Sequence, residues 1–104
     1  MNNLKFTLYL GLKDKDTKMQ EIATVEAYKI VKNMLTSDFD GGTIFEAEGV
    51  YRHEDGTIVT EKTLRIEILF AETNKVRNFV NDLKRIFNQE SVAVQVEKIT
   101  SELW

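Results

Sequence analysis

The sequence contains no cysteine. Disulfide bonds, thiolate nucleophiles and cysteine-ligated zinc all require this residue, so none of them can form within the chain. The absence is compatible with a reducing compartment, and we expect a cytoplasmic location.

Long apolar runs and blocks of basic residues are also missing. The first residues, "MNNLKFTLYLGLK", alternate apolar and polar side chains and do not form the unbroken apolar run of a signal peptide or membrane span. Fourteen basic and seventeen acidic residues leave a formal charge of -3. Without a basic block, counterion release from a phosphate backbone contributes little to binding. We therefore expect a soluble protein that binds neither a membrane nor nucleic acid.

The 104 residues, of which 42% are hydrophobic, are enough for one compact domain over 1–104. A domain of this size buries roughly two thirds of the surface of its unfolded chain. Alternation and helical spacing then divide the chain into six elements. The predicted elements are a strand over 4–12, a helix with Thr24 as its N-cap that ends near Asp38, two strands within 43–70, a helix with Thr73 as its N-cap that ends at Asn88 and Gln89, and a strand over 92–97.

The order β-α-β-β-α-β is that of the ferredoxin-like, or split βαβ, fold. It predicts an α+β protein in which two helices cover one face of a four-stranded antiparallel sheet, with the first and third strands in the centre. The pair Asp55-Gly56 favours a two-residue type I′ hairpin turn. With that turn, Phe45 pairs with Ile66, Ala47 with Leu64, Glu46 with Arg65, and Glu48 with Thr63.

This register assigns the strand side chains to two faces of the sheet. The covered face is predicted to contain Phe6, Leu8, Leu10, Phe45, Ala47, Leu64, Ile66, Ile68, Val92 and Val94. The open face is predicted to contain Thr7, Tyr9, Glu46, Glu48, Glu61, Thr63, Arg65, Glu67, Gln95 and Glu97. Two interpretations follow: a solvated face with cross-strand ion pairs, or a polar face that closes over a ligand against another subunit.

The segment "KDKDTKMQEI", residues 13–22, is longer than a usual strand-to-helix connection. It is either a mobile solvated loop or one that closes over a small anionic molecule at the end of the sheet. In the second case the candidate ligand-binding residues are Tyr9, Lys13, Lys15, Thr17, Gln20, Arg52, Glu61 and Arg65.

Catalytic and metal-binding motifs are scarce. Glu61 is a possible general base, and the single histidine, His53, lies beside the predicted hairpin turn. No nucleophile motif, phosphate-binding glycine loop or paired acid and base accompanies them. Arg65 competes with a cation among the predicted glutamates, and Asp14 and Asp16 lack the rest of a calcium loop. We therefore expect no metal and no cofactor.

The last residues, "ITSELW", are too apolar for a freely solvated segment. Ile99, Leu103 and Trp104 are expected to pack either on this chain or on a neighbouring one.

Three stretches of the sequence resemble a known family. They are "YLGLKDKDTKMQEI", "GGTIFEAEGVYRHEDGTIVTEKTL" and "FNQESVAVQ". They are similar to a family of small uncharacterised bacterial and phage-borne proteins of the ferredoxin-like, domain-of-unknown-function kind. The resemblance covers nearly the whole chain and implies the fold and a mobile-element setting, but no catalytic residue.

Three functional hypotheses follow from the sequence. The first is a noncatalytic homo-oligomeric protein that binds or sequesters a small ligand, with a nucleotide-like signal as the ligand in a phage setting. The second is an enzyme of the dimeric α/β-barrel sort that uses Glu61 or His53 for proton transfer. The third is a protein-interaction module that uses the C-terminal residues.

Overall fold

The computed structural model describes residues 3–52 and 54–104. Within them the chain forms β1 (Leu4–Gly11), α1 (Thr24–Asp38), β2 (Thr43–Arg52), β3 (Ile58–Leu69), α2 (Thr73–Ile86) and β4 (Ala93–Lys98). The sheet order is β2-β3-β1-β4, and every neighbouring pair is antiparallel. This confirms the predicted ferredoxin-like fold, with β1 and β3 as the central strands.

The helices begin close to where the sequence predicts. Thr24 and Thr73 are the first residues of α1 and α2, and Ala23 and Glu72 occupy the capping positions that the threonines were expected to take. The helical conformation therefore starts one residue earlier than the side-chain capping signal indicates, a difference common at helix ends. None of the described helices has the length and apolar character needed to cross a membrane.

Both helices pack on the same face of the sheet. Alternate residues of β1 and β3 supply one layer of the core, and the apolar faces of α1 and α2 supply the other. The ring of Phe39, after α1, meets that of Phe79 edge to face, with centroids 5.4 Å apart and planes at 72°. The buried core residues are Phe6, Leu8, Leu10, Leu12, Ala27, Val31, Leu35, Leu64, Ile66, Ile68, Ala71, Val76, Phe79, Leu83 and Phe87.

The predicted register of β2 against β3 is wrong by one residue. Phe45 lies opposite Arg65, and the observed partner of Ile66 is Ile44. The prediction assumed that Asp55 and Gly56 alone connect the two strands. Pairing in fact stops at Arg52 and Ile58, so the connection is longer than a two-residue turn.

A shift of one residue exchanges the two faces of a strand, because side chains alternate along it. Phe45 and Ala47 therefore leave the predicted core and lie on the open face. Glu46 and Glu48 move to the helix side, near the exposed edge of the sheet. Ile44, which was not expected in the core, packs against its margin.

Candidate functional site

The open face of the sheet is more aromatic and less acidic than the sequence predicts. The corrected register places Phe45, Gly49 and Tyr51 of β2 on it, together with Tyr9 of β1. Phe45 and Tyr51 are 42% and 47% exposed. The side of β3 that carries Glu61, Thr63, Arg65 and Glu67 faces the same way, as predicted.

Tyr51 and Glu61 form a hydrogen-bonded pair near one end of this face. The hydroxyl of Tyr51 bonds to the carboxylate of Glu61 and also to Thr63. The Glu61 carboxylate accepts a second hydrogen bond from the backbone N–H of Lys13, at 2.9 Å. The carboxylate is thus held from two sides, by β2 and by the first residue after β1.

Two glycines make room for this pair. A Cβ atom at Gly11 would lie 2.5 Å from Oε1 of Glu61, and one at Gly49 would lie 2.6 Å from the hydroxyl of Tyr51. Both distances are shorter than van der Waals contact allows, so any other residue would displace the carboxylate or the phenol. The closely placed polar groups therefore depend on two positions without side chains.

The protonation state of the phenol follows from its surroundings. Burial raises the pKa of Tyr51 above its ordinary value of 10.0, and the negative charge of Glu61 and the hydrogen bond to it raise it further. The hydrogen bond with Thr63 acts in the opposite direction. At neutral pH the phenol is protonated and donates to Glu61, so the pair presents a fixed carboxylate oxygen that can accept a ligand proton or complement a positive charge.

Arg65 occupies the middle of the open face. Its guanidinium lies over the ring of Phe45, 5.1 Å from the centroid, and its Nη2 donates to Oε2 of Glu67 at 2.5 Å. Lys5 contacts the same oxygen at 3.4 Å. Within the part of the chain that the structure describes, the buried Nε of Arg65 has no hydrogen-bond partner. The charge of Arg65 is thus largely engaged by Glu67.

The loop over 13–22 is folded and attached to the rest of the chain. The carboxylate of Asp14 accepts hydrogen bonds from the backbone N–H groups of Asp16 and Thr17 and from the side-chain amide of Asn88. The bond from Thr17 contributes most to lowering the pKa of Asp14 below its usual 3.8, followed by the bond from Asn88.

A second set of contacts joins the same loop to the corner between α2 and β4. The side-chain amide of Gln89 donates to the carbonyl of Lys13 at 2.6 Å, and the backbone N–H of Lys15 donates to the carbonyl of Asn88 at 3.1 Å. Lys13 also pairs with Gln20 as an isolated antiparallel bridge. These contacts fix the backbone of Lys13, and with it the N–H that binds Glu61.

The predicted ligand-binding residues are only partly brought together. Tyr9 and Arg65 are direct partners on β1 and β3, and Glu61 meets Lys13 through the backbone of the latter. Arg52 lies on the helix side of β2, and its guanidinium reaches the carbonyl of Gly56 at 3.5 Å.

The remaining residues that were predicted to bind a ligand or transfer a proton either belong to the folded loop or lie outside the residues that the structure describes. Gln20 donates to the carbonyl of Ile22 and the hydroxyl of Thr24, at the start of α1. Lys15 and Thr17 are exposed on the loop. His53, the alternative proton-transfer residue, lies outside the described residues.

Sequence reasoning missed the roles of Tyr51, Gly49 and Asn88. Tyr51 has no predicted role, because the predicted register, continued along the strand from Phe45 and Ala47, turns it away from Glu61. Asn88 and Gln89 are predicted only as the end of the second helix, and this position gives no sign of a contact with the distant loop. The corrected register also separates Glu46 and Glu48 from Glu61, which had been predicted on the same face. No group of three or more possible metal ligands occurs among residues 3–52 and 54–104.

Comparison with solved structures finds the same fold in two phage enzyme structures. A phage SAM lyase in complex with S-methyl-5'-thioadenosine is 23% identical, with a TM-score of 0.67, and the alignment covers 100% of this chain and 89% of the lyase chain. A phage SAM lyase in the apo state is 22% identical, with a TM-score of 0.61 and coverage of 98% and 86%.

Other comparisons extend this result. The divalent ion tolerance protein CutA1 from Ehrlichia chaffeensis is 20% identical, with a TM-score of 0.56 and coverage of 99% of this chain and 87% of CutA1. A comparison with curated proteins finds no match. The model of a protein family of unknown function, DUF3574, matches residues 5–102. The chain therefore belongs to the DUF3574 family.

Proposed function

We propose that this protein is a homo-oligomer that binds a small molecule on the open face of its sheet, against the Tyr51–Glu61 pair. The observation that carries the proposal is the fixed Glu61 carboxylate, held by the phenol of Tyr51 and the backbone of Lys13 over the space left by two glycines. A solvated sheet face has no need of such an arrangement, whereas a binding site needs its polar groups held in place.

A second copy would close this site. Among residues 3–52 and 54–104 no element covers the open face, where Phe45, Tyr51 and Leu69 are 42%, 47% and 41% exposed. Ligand sites bury most of the ligand surface, which a bare sheet cannot do. Exposed aromatic residues beside a polar cluster are typical of a surface that packs against another subunit with the ligand between them.

The charges around Glu61 favour a neutral or cationic ligand. Arg65 is engaged by Glu67, and the group of Lys13 that reaches Glu61 is its backbone N–H. A neutral or cationic ligand differs from the anionic ligand that the sequence predicted from the lysines of the loop. An adenosine thioether or sulfonium fits the site, because ribose hydroxyls donate to a carboxylate, a sulfonium carries positive charge, and an adenine ring packs on aromatic side chains. The similarity in fold to a lyase that holds S-methyl-5'-thioadenosine supports this class.

Calorimetric titration of the protein with S-methyl-5'-thioadenosine and, separately, with S-adenosylmethionine tests the proposal. We expect binding of at least one compound and a loss of about tenfold or more in affinity in Glu61→Gln, because the variant removes the charged acceptor. Glu46→Gln is the matched control, since Glu46 lies on the other side of the sheet. The absence of binding by the intact protein, or equal losses in both variants, would contradict the proposal.

A second candidate function is enzymatic. The specific observation is that Glu61 is hydrogen-bonded to a protonated phenol, so a base and a proton donor lie side by side. The Glu61 carboxylate can accept a proton from the carbon next to the one bonded to sulfur. The electron pair of that C–H bond then forms a carbon–carbon double bond, while the carbon–sulfur bond breaks and its electron pair stays on the sulfur of S-methyl-5'-thioadenosine. Mass spectrometry of S-adenosylmethionine incubated with the protein would detect S-methyl-5'-thioadenosine as the product. Turnover by the intact protein that is lost in Glu61→Gln would support the enzymatic function. Binding without turnover would support the noncatalytic binding function.

A further inference from the structure

The C-terminal segment, residues 99–104, places large apolar side chains in solvent. Its path begins at Ile99, whose backbone N–H donates to the carbonyl of Asn3 at 2.9 Å. Beyond this point the segment is neither helix nor strand. Leu103 is 85% exposed and Trp104 is fully exposed. Two adjacent large apolar side chains gain free energy if another surface covers them.

A groove of suitable chemistry lies between α2 and β4. It has a volume of about 490 Å³ and contains two valines of β4, Val94 and Val96, that face the helix layer and yet are 43% and 54% exposed. The groove exists because β4 is at the edge of the sheet and α2 does not fully cover its inner face. Its lining residues are Phe6, Thr73, Val76, Arg77, Val80, Asn81, Val94 and Val96.

We propose that Leu103 and Trp104 of one copy occupy the α2–β4 groove of a second copy. The charges of the two surfaces are complementary. The positive Arg77 lines the groove, and the negative Glu102 immediately precedes the two apolar residues. The backbone of β4 also favours this contact. β4 is an edge strand, and an extended segment can add to such an edge by main-chain hydrogen bonds while its side chains enter neighbouring pockets.

The segment does not occupy the α2–β4 groove of its own chain. Ser101 and Leu103 line a different cleft at the end of the sheet, between the end of α1 (Thr36 to Asp38) and the start of α2 (Glu72 and Lys75). Neither residue lines the α2–β4 groove, which is therefore open to the segment of a second copy.

The inference is independent of the ligand proposed above, because the groove and the Tyr51–Glu61 pair lie on opposite faces of the sheet. Failure of ligand binding would leave this contact untouched, and loss of this contact would leave Glu61 and Tyr51 in place.

Trp104 is the only tryptophan of the chain and therefore reports its own burial. The experiment follows its fluorescence emission and the molecular mass of the full chain, by light scattering, over a dilution series. We expect emission to move to shorter wavelength as assembly increases. Val96→Ser and Leu103→Ser should weaken assembly by about tenfold or more, because each removes apolar surface from the contact. Val25→Ser, at a 63% exposed position of α1, is the matched control and should have no effect.

A charge exchange separates contact between copies from contact within one chain. Arg77→Glu and Glu102→Arg should each weaken assembly, since each places like charges together. A mixture of the two variants should restore it, because every contact between unlike chains then joins opposite charges. Circular dichroism verifies that each variant is folded. Emission that is independent of concentration, assembly that Leu103→Ser leaves unchanged, or a mixture of folded variants that stays dissociated would overturn the inference.

Discussion

At the scale of the residue, the open face depends on how Glu61 is held. The side chain of a glutamate on a sheet surface is ordinarily mobile. The carboxylate of Glu61 is instead held by hydrogen bonds from the phenol of Tyr51 and from the backbone N–H of Lys13. The small residues Gly11 and Gly49 allow both contacts, because any Cβ atom would occupy the same space. The chemistry of the site therefore depends on two residues without side chains as much as on the charged ones.

The titration of Tyr51 tests this description. Its folded-state pKa is raised above 10.0, so the phenol should ionise at higher pH in the folded than in the unfolded protein, and its protonation stabilises the fold fully below pH 10.0 and less as pH rises through the folded value. Glu61→Gln removes the charge and should lower the pKa of Tyr51. The phenolate absorbance of the folded protein, recorded against pH, measures both effects.

Tyr51→Phe serves as the control for this titration. It should remove the late component, meaning the part of the absorbance change that occurs above the ordinary phenol pKa of 10.0. A late component that persists in Tyr51→Phe, or a titration that Glu61→Gln leaves unchanged, would mean that the pair does not form in solution.

At the scale of the element, the loop over 13–22 links β1 to the corner after α2. Asp14 is the centre of this connection, because its carboxylate caps the turn through Asp16 and Thr17 and also accepts from Asn88. The loop thereby holds the backbone N–H of Lys13 beside Glu61. A segment that reads as an irregular connection in the sequence has a defined position in the fold.

Asp14→Asn should destabilise this connection in a pH-dependent way. The folded-state pKa of Asp14 is lowered below 3.8, so the carboxylate contributes stability above pH 3.8, and that contribution is lost as pH falls through the folded value. The melting temperature of Asp14→Asn should therefore lie below that of the wild type at neutral pH, and the difference should shrink in acid.

Asp40→Asn, at an exposed position after α1, is the control for general charge effects and should show a smaller change. Thermal unfolding at a series of pH values gives the comparison. A constant difference between wild type and Asp14→Asn down to the lowest pH would contradict the role of the ionised carboxylate.

At the scale of the whole molecule, the two faces of the sheet differ in what they contribute to stability. One face is buried under both helices, where Phe79 is fully enclosed. The other face displays Phe45, which contacts the guanidinium of Arg65 but is 42% exposed. The same residue type thus occupies two different environments, which permits a direct test.

Phe79→Ala should cost about 3–5 kcal/mol of unfolding free energy, because it leaves a cavity between helix and sheet. Phe45→Ala should cost only about 1 kcal/mol in the isolated chain, which is the size of an exposed cation–π contact. Urea denaturation followed by circular dichroism at low protein concentration measures both values. If the two variants lose similar amounts of unfolding free energy, the open face is buried in a core even at low protein concentration, which would contradict this description.

The sequence by itself determined the element order, because local alternation and helical spacing encode it, and this order implies the central position of β1 and β3. It was insufficient for β2, whose two faces each carry apolar and polar residues and whose edge position leaves Glu46 and Glu48 free to point either way. Only the tertiary structure decided that register, and with it the meeting of Tyr51 with Glu61. It also decided that Asn88 meets Asp14, because contacts between residues distant in sequence arise from packing and leave no periodic signal in the chain.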